Sequence, residues 1–478
     1  MAGQSQILRQ ILQSDRCVVV LHGPAAAGKT TAGLEFYRHY QRPGEGSACL
    51  MIAPNIQAIG YLKRSILKSS PGGAVMSPAV TSFSAVAAKI LGACSVKSQS
   101  LPTYRRRLLL RQILDDMKCS IGLPALWAVA DAPGLIVALD RTIAELKRAA
   151  VDPESLSAVI GPARSAEPDK IRDLLQIYRR YQERMQAANR HDVEGQLWLA
   201  RDCLRDGEAK TNEQVGLGGV SAVVVDGFLD FTPTQLEMLV LLARRVDKLA
   251  ITLPYTHDGR GRLWQWTNRS LDRMRHAFAA DLDEIACPPS EDAKPEIQPL
   301  QPLWEKVFNI DAKCQQGQSL PAELHLTAAS GIDAEVASAA RRIKRLLADG
   351  CRAGQIAVLA RSMDAYSPII QQIFAEHEIP ISPRTESLTD VSIIRFVLDV
   401  ASLSPEFEFQ NVLRIIKSSY FLPSALGAFD AATVTTAEAV IRQGNVLLGR
   451  QAYDDAVGRM ARAAKMATEQ ADGNIEES

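Results

Sequence analysis

The sequence carries no excess charge of either sign, because 54 lysines and arginines balance 54 aspartates and glutamates. A protein that binds nucleic acid mainly by neutralising phosphates is usually basic, so the composition gives no support to that class and leaves room only for a local basic groove. The chain also lacks any run of about 18 apolar residues, which predicts that it does not cross a membrane. Met1–Asp15 lacks the basic and apolar segments of a secretory signal, so we expect a cytoplasmic protein.

Paired cysteines are missing as well. The eight cysteines are scattered, with no CxxC spacing and no histidine close by in sequence. This pattern indicates reduced thiols rather than a disulfide framework or a zinc site. The seven histidines are isolated, so no spacing typical of a metal site or of covalent catalysis is present.

Short apolar runs alternate with helical patterns near both ends of the first 290 or so residues. Cys17–His22 and Ser47–Ala53 read as buried strands with a helical segment between them, which is a βαβ unit. Ser221–Asp226 and Lys248–Leu253 repeat the strand pattern, and Thr232-Pro233 predicts the start of a helix between them. The sequence therefore predicts an α/β fold.

The middle of the chain is different. Ser82–Arg205 has helical periodicity and almost no strand pattern, which predicts an all-helical insertion. A second α/β unit begins near Glu323, with candidate strands at Glu323–Thr327, Gln355–Ala360 and Ile379–Ser382. We predict six segments: a nucleotide-binding domain in two parts (1–85 and 206–287) around a helical insertion (86–205), a linker (288–321) with a short helix at Leu303–Phe308, a partial second α/β domain (322–386), and a helical region (387–478) with a disordered tail at Glu469–Ser478.

Gly23–Thr31 reads GPAAAGKTT and fits the pattern GxxxxGK[ST] between a strand and a helix. Glycines let the backbone curl so that successive N–H groups point at phosphate oxygens, and the following helix adds its positive N-terminal dipole. Lys29 is expected to reach the β- and γ-phosphates, and the Thr30 hydroxyl to help hold Mg²⁺. We predict ATP binding through Gly23, Ala26, Ala27, Gly28, Lys29, Thr30 and Thr31.

Asp226 closes the apolar run Val223–Val225. A phosphate-binding loop of this kind needs an acidic residue at the end of another buried strand, to orient the Mg²⁺ shell. An aspartate that ends a strand is often only a cap, but together with the loop it predicts a metal site. We therefore expect Thr30 and Asp226 to hold Mg²⁺, and Lys29 and Asp226 to be the catalytic candidates.

The segment Asp226–Pro233, DGFLDFTP, resembles the "DGF..FTP" segment of AddB-type subunits of bacterial helicase–nucleases, which are relatives of the UvrD/Rep superfamily 1 helicases. Weaker similarities, in the order that this family requires, occur at Val80–Phe83, Gly331–Glu335, Gln355–Arg361 and Ser418–Phe421. The resemblance covers the N-terminal part of such subunits. It implies P-loop RecA-like domains interrupted by large helical insertions, with ATP and Mg²⁺ as cofactors.

The same resemblance implies partners and one further residue. DNA, as a single strand or a duplex end, and a helicase–nuclease partner subunit would be the partners. Arg361 resembles the arginine that such motors place against the γ-phosphate. Tyr104–Arg107 and Arg111 are candidates for DNA contact, although such a run is more often a solvated helix face. Trp264 and Trp266, with Arg262 and Arg269, could stack on exposed bases, although core or interface packing is the more common role of such tryptophans.

The sequence departs from an active motor in two places. Gly227 stands where active superfamily 1 helicases have a glutamate that orients the attacking water, and Pro254-Tyr255 follows the next strand where a "GD..Q" pattern is expected. No nuclease motif is present. The resemblance therefore implies an ATP-binding, helicase-related DNA-repair protein with weak or absent hydrolysis.

Three alternatives stay open. The chain is a DNA-stimulated ATPase and translocase if Asp230 or another carboxylate replaces the missing glutamate. It is a non-enzymatic scaffold if the nucleotide site is a remnant. A small nucleotide kinase is the weakest alternative, because such an enzyme has a compact lid rather than two α/β units separated by long helical stretches.

Overall fold

The computed structural model of the chain describes residues 2–42, 46–70, 74–75, 77–120, 122–160, 168–207, 210–256, 263–287, 309, 324–381, 388, 391–403, 406–422 and 431–476. These residues belong to two compact units, Met1–Leu324 and His325–Ser478. In this part of the chain, every helix is too short or too polar to cross a lipid bilayer.

The first unit is built on a parallel sheet. The strands of the main sheet are β1 (Val18–Gly23), β4 (Cys49–Ile52), β5 (Val80–Thr81), β8 (Ala222–Val225), β9 (Lys248–Pro254) and β10 (Leu282–Ala286). Two small separate pairs are formed by β2 (Gln41–Arg42) with β3 (Gly46–Ser47), and by β6 (Gln99–Ser100) with β7 (Arg190–His191). The main sheet has the order β10-β1-β9-β8-β4-β5, and all its neighbouring strands are parallel. The four strands predicted in this unit are confirmed, and the α/β class with them.

Helices cover both faces of this sheet. All the described α-helices of the first unit, whether or not they lie on the sheet, are α1 (Ala2–Gln13), α2 (Lys29–His39), α3 (Ile56–Lys68), α4 (Phe83–Ala93), α5 (Thr103–Ser120), α6 (Pro133–Arg148), α7 (Pro153–Ile160), α8 (Pro168–Ala187), α9 (Val193–Asp206), α10 (Pro233–Ala243) and α11 (Gln265–Phe278). Alternate residues of β1 point to opposite layers: Val18 and Val20 pack with α4, α9 and α10, whereas Val19 and Leu21 pack with α1, α2 and α3. This two-sided burial explains why the central strands are continuously apolar.

The edge strand β10 was not predicted. Its charged residues hide the strand pattern, because one side of an edge strand faces solvent and tolerates them. Asp283 accepts a hydrogen bond from Ser14 Oγ at 2.7 Å, and Glu284 pairs with Arg275 at 2.6 Å.

The helical character predicted for Ser82–Arg205 is confirmed in the described residues of that range, where the paired strands are the two-residue β6 and β7. A buried ion pair lies within this region, beside the start of α9: Lys147 Nζ is 2.7 Å from Asp192 Oδ1. Tyr181 donates its hydroxyl to Asp192 Oδ2 at 2.8 Å, and the Gly195 N–H donates to Oδ1 at 2.6 Å. Residues of α6, α8 and α9 are thus tied to one carboxylate.

The second unit is helical in all its described regular structure. Its helices are Ile332–Ala348, Met363–Glu376, Ser392–Ala401, Phe409–Ile416, Ala431–Gln443 and Arg450–Glu476. The first two pack around Val336, Ala340 and Phe374. A short 3₁₀ turn, Ala353–Gln355, lies between them.

The strand predictions for this unit are wrong in the described residues. Residues 324–327, 356–360 and 379–381 are not paired with any strand there. Leu326 and Leu359 are 94% and 91% exposed, which is unlike a residue in a covered sheet. An apolar pattern gives a strand only where a neighbouring strand takes up its backbone N–H and C=O groups, and the described residues form no such neighbour beside these segments.

Two further expectations concern the linker and the end of the chain. The predicted linker helix Leu303–Phe308 lies outside the described residues. The last helix continues to Glu476, and the disordered tail at Glu469–Ser478 stays a prediction. The helix that reaches Glu476 begins at Arg450 and is rich in alanine, the strongest helix former. The boundaries of the six predicted segments stay predictions.

Candidate functional site

The glycine-rich loop, residues 23–28, connects the end of β1 to the start of α2. A Cβ on Gly23 would lie 2.3 Å from the Cys287 carbonyl oxygen, so only glycine allows the two backbones to approach this closely. Gly28, directly before α2, has a φ of 78°, in the left-handed region that favours glycine. Ala26 also has a positive φ, of 61°. The loop conformation therefore depends on both glycines of the motif.

The other predicted loop residues lie at the helix start. Ala27 is buried, and its N–H donates to the Pro24 carbonyl at 3.4 Å. Lys29, Thr30 and Thr31 form the first turn of α2. The N–H groups of a first helical turn have no carbonyl partner within the helix, so this turn is suited to bind an anion.

Lys29 is folded over the loop. Its Nζ donates hydrogen bonds to the Gly23 carbonyl at 2.8 Å and to the Pro24 carbonyl. Burial lowers the pKa of Lys29, and the nearby Cys287 and Asp226 oppose that shift. A phosphate oxygen is a stronger, charged acceptor than either carbonyl, so the lysine is positioned to exchange these partners for a phosphate.

Thr30 and Asp226 meet in space although they lie 196 residues apart in sequence. The Thr30 hydroxyl is 3.0 Å from Asp226 Oδ1 and 3.2 Å from Oδ2. Asp226 is buried and comes directly after β8, two strands from β1 in the sheet. A hydroxyl and a carboxylate side by side offer the oxygen ligands that Mg²⁺ prefers. The structure therefore brings the two predicted metal-site residues together.

A third side chain in this group was missed by sequence reasoning. Thr252, in β9, donates its hydroxyl to Asp226 Oδ1 at 2.7 Å. Burial raises the pKa of Asp226, and the hydrogen bonds from Thr252 and Thr30 and the charge of Lys29 reduce that effect. The signal in the sequence was a single hydroxyl residue inside the apolar run of β9.

The residue after Asp226 has an unusual backbone conformation. Gly227 has a φ of 85°, and a Cβ there would lie 3.4 Å from Pro54 Cδ. Its N–H donates to Thr252 Oγ1 at 3.4 Å. At the position where active motors carry a glutamate, this chain therefore differs in more than the side chain. The backbone of Gly227 adopts a conformation that disfavours any residue with a side chain.

Asp230, the suggested replacement for that glutamate, is engaged elsewhere. Its Oδ1 accepts a hydrogen bond from Arg273 in α11 and another from the Phe231 N–H at 2.8 Å. Both charged side chains are about two-fifths exposed. Asp230 thus points toward α11 and forms an ion pair on the surface.

The candidates for DNA contact in the helical region are placed as follows. Arg106 and Arg107 both pair with Asp140, and Arg111 pairs with Asp131 at 3.1 Å. Most of this basic run is therefore compensated by carboxylates.

Trp266 is 64% exposed, and the guanidinium of Arg269 lies 5.4 Å from its ring centre. Trp264 is only half-buried and packs at the margin of the core beside α11. Arg361 belongs to the second unit, on the exposed segment before the helix Met363–Glu376. Its contact with a γ-phosphate stays a prediction.

The chain is similar to proteins of known name. A family model described as "ADDB, N-terminal" matches residues 20–286. The chain is 24% identical over 428 residues to the B subunit of the ATP-dependent helicase/deoxyribonuclease of Bacillus pumilus, covering 84% of this chain and 35% of that protein. The protein of the same name from Bacillus subtilis is 22% identical over 429 residues, with the same two shares. That from Pelotomaculum thermopropionicum is 27% identical over 387 residues, covering 75% of this chain and 31% of that protein.

The chain spans about a third of the length of these relatives. The matched region, residues 20–286, is more than half of the 478 residues and contains the loop, Thr30, Asp226 and Thr252. The DGF segment that first indicated the resemblance lies inside it as well. The chain belongs to the AddB family, in the region that the family model describes as N-terminal.

Proposed function

We propose that this chain binds ATP with Mg²⁺ as a conformational ligand, within a helicase-related subunit that acts on DNA in recombinational repair together with a helicase–nuclease partner. The six-stranded unit is, in this proposal, a P-loop RecA-like domain, and the second unit is part of another. The relatives carry the name of the B subunit of a helicase/deoxyribonuclease, which supports the proposed setting.

The observation that carries the proposal is the meeting of Lys29, Thr30 and Asp226 at the carboxyl ends of β1 and β8. The residues fit the group they would hold. The first turn of α2 and Lys29 would hold the phosphates, and Thr30 with Asp226 would hold the cation. When bound, Mg²⁺ would neutralise the phosphate charge.

Weak hydrolysis follows from what surrounds Asp226. Gly227 offers no base to orient a water molecule, and Asp230 is bound to Arg273. Asp226 itself holds the hydroxyls of Thr30 and Thr252. These residues can bind and orient the nucleotide and the cation, but none of them is a candidate base for removing a proton from water. Arg361 is kept as the proposed γ-phosphate contact from the second unit.

The test measures ATP binding and phosphate release by the purified chain, with and without Mg²⁺ and single-stranded DNA. Lys29→Ala is the main variant, and Lys68→Ala, at the exposed end of α3, is a matched control for loss of a lysine. We expect the wild type and Lys68→Ala to bind Mg²⁺–ATP and to turn it over slowly. Lys29→Ala should lose binding by at least about tenfold, since hydrogen bonds to charged groups contribute roughly 1.5–3 kcal/mol.

Two results would replace the proposal. Rapid hydrolysis that depends on Lys29 and rises with single-stranded DNA would identify an active translocase. Equal, negligible binding by the wild type and Lys29→Ala would identify a scaffold with a remnant site.

A further inference from the structure

Thr252 is a polar residue in an otherwise apolar strand. β9 reads KLAITLP, and its five inner residues, Leu249–Leu253, are buried. A buried hydroxyl costs free energy unless it has hydrogen-bond partners, and valine would fill the same space without that cost. The hydroxyl therefore calls for a reason other than packing.

Strand register brings Thr252 to the metal-site residues. In the parallel pairing of β8 with β9, Val225 lies opposite Ile251, so the next residues, Asp226 and Thr252, are adjacent. On the other side of β9, Thr252 lies opposite Leu21, two residues before Gly23. Thr252 thus stands between the loop strand and the strand that carries the carboxylate.

The hydrogen bonds of Thr252 fix both the carboxylate and its backbone turn. The hydroxyl donates to Asp226 Oδ1 at 2.7 Å and accepts from the Gly227 N–H at 3.4 Å. The Thr30 hydroxyl also donates to Asp226, at 3.0 and 3.2 Å. A cation bound by Thr30 would take a lone pair of its oxygen, so both threonine hydroxyls can go on donating to Asp226.

We propose that Thr252 is a positioning residue that holds the Asp226 carboxylate in the orientation needed for Mg²⁺, so that the cation and the nucleotide bind together. The inference rests on the proposed function and adds a residue to its site. Groups that orient a metal ligand without touching the metal commonly change metal affinity by about 10- to 100-fold. A merely structural hydroxyl would instead change stability and leave the metal dependence of binding unchanged.

The test uses three variants of the full chain. Thr252→Val removes the hydroxyl and keeps the shape, and Thr252→Ser restores the hydroxyl. Thr267→Val is the matched control, because Thr267 is similarly buried and donates its hydroxyl at 3.1 Å to the Trp264 carbonyl, away from the loop. For each protein, ATP affinity is measured in EDTA and across a Mg²⁺ titration, Mn²⁺ binding is followed by electron paramagnetic resonance in the presence of ATP, and Tm is measured without ligand.

We expect Thr252→Val to raise the Mg²⁺ and Mn²⁺ concentrations for half-saturation by about tenfold, with unchanged ATP affinity in EDTA. Thr252→Ser should return both midpoints to within about twofold of the wild type. Thr267→Val should leave both midpoints unchanged, whatever its effect on Tm. Wild-type midpoints in Thr252→Val, with Lys29-dependent ATP binding intact, would overturn the positioning role alone. Absence of Lys29-dependent binding in the wild type would overturn the proposed function first, and the inference with it.

Discussion

Two buried aspartates of the first unit have very different surroundings. Asp192, just before α9, is bound by the ammonium of Lys147, the hydroxyl of Tyr181 and the Gly195 N–H. Asp226, at the carboxyl end of the sheet, accepts hydrogen bonds from two threonine hydroxyls, and the nearby Lys29 donates to loop carbonyls instead. The first carboxylate has its counter-charge built in, whereas the second does not.

The pKa values of the two aspartates differ in direction for the same reason. Burial alone would raise the pKa of Asp192, but the charge and hydrogen bond of Lys147, together with the hydrogen bonds from Tyr181 and Gly195, outweigh it and leave the pKa below its ordinary value. Burial wins at Asp226, and its pKa is raised. A buried carboxylate whose negative charge is only partly compensated can still bind a cation. In the proposed function, this difference separates a carboxylate that stabilises the fold from one that helps to hold a cation.

The largest effect on stability is expected from breaking the buried ion pair between Lys147 and Asp192. Lys147→Met leaves Asp192 buried without a counter-charge, so the free energy of unfolding should fall by about 3–5 kcal/mol. Urea unfolding followed by circular dichroism measures it. Lys118→Met is the control, because Lys118 pairs with the exposed Asp131 and its loss should change stability little. A small loss in Lys147→Met, equal to that of the control, would contradict the comparison.

The next effect concerns the turn beside Asp226. Gly227→Glu restores the glutamate of active motors but places a side chain at a φ of 85°, so stability should fall by roughly 1–2 kcal/mol and ATP turnover should not rise. Gly219→Glu is the control for the backbone cost, because Gly219 has a φ of 74° with open space around its Cβ position. Phosphate release and urea unfolding are the measurements. A tenfold gain in turnover would show that the turn can accommodate a catalytic glutamate.

A smaller effect, dependent on pH, is expected at Asp226. Because its pKa is raised in the folded state, its contribution to stability is present below the unfolded pKa and is lost as the pH rises through the folded pKa. Asp226→Asn should therefore be more stable than the wild type near pH 7, on the order of 1 kcal/mol, and should lose that advantage toward pH 4. Urea unfolding across this pH range measures it.

The stability contribution of Asp192 is expected to depend on pH in the opposite direction to that of Asp226. Its lowered pKa contributes stability above the unfolded pKa, and that contribution is lost as the pH falls through the folded pKa. Asp192→Asn should accordingly be less stable than the wild type at pH 7 and approach it in acid. Equal pH dependence of the two variants would remove the distinction between the carboxylates.

The smallest effect is expected at the surface pair. Asp230→Asn breaks the ion pair with Arg273, and because both side chains are partly exposed, stability should change by less than about 1 kcal/mol. ATP binding and hydrolysis should match those of the wild type. A loss of turnover in this variant, measured by phosphate release, would mean that Asp230 leaves Arg273 and takes part in catalysis.

Local pattern predicted much of the first unit. The continuous apolar runs of β1, β4, β8 and β9 belong to strands buried on both faces, and such runs leave a clear sequence signal. The loop motif and Asp226 were predicted because their chemistry requires fixed residue types at fixed positions relative to strands.

The rest depends on features that local pattern does not encode. Thr252 reaches Asp226 only because β9 lies beside β8, and strand order is a property of the whole sheet. The positive φ of Gly227 could not be predicted from the sequence, because glycine adopts negative φ values as readily as positive ones. In the second unit, the run Ile356–Ala360 has the composition of a strand but no described partner, so composition alone predicted it wrongly.

The order of strands in the sheet also determines when the site can form during synthesis. β1 is made before the other strands of this sheet, yet its neighbours in the sheet are β9 and β10, which are made last among them. Ser14 and Asp283, whose side chains bond across that edge, lie 269 residues apart. Contacts of such long range form slowly, and the apolar β1 has to wait for its partners while the helical region between them is already able to fold. The glycine-rich loop is thus made before the strands that complete its sheet.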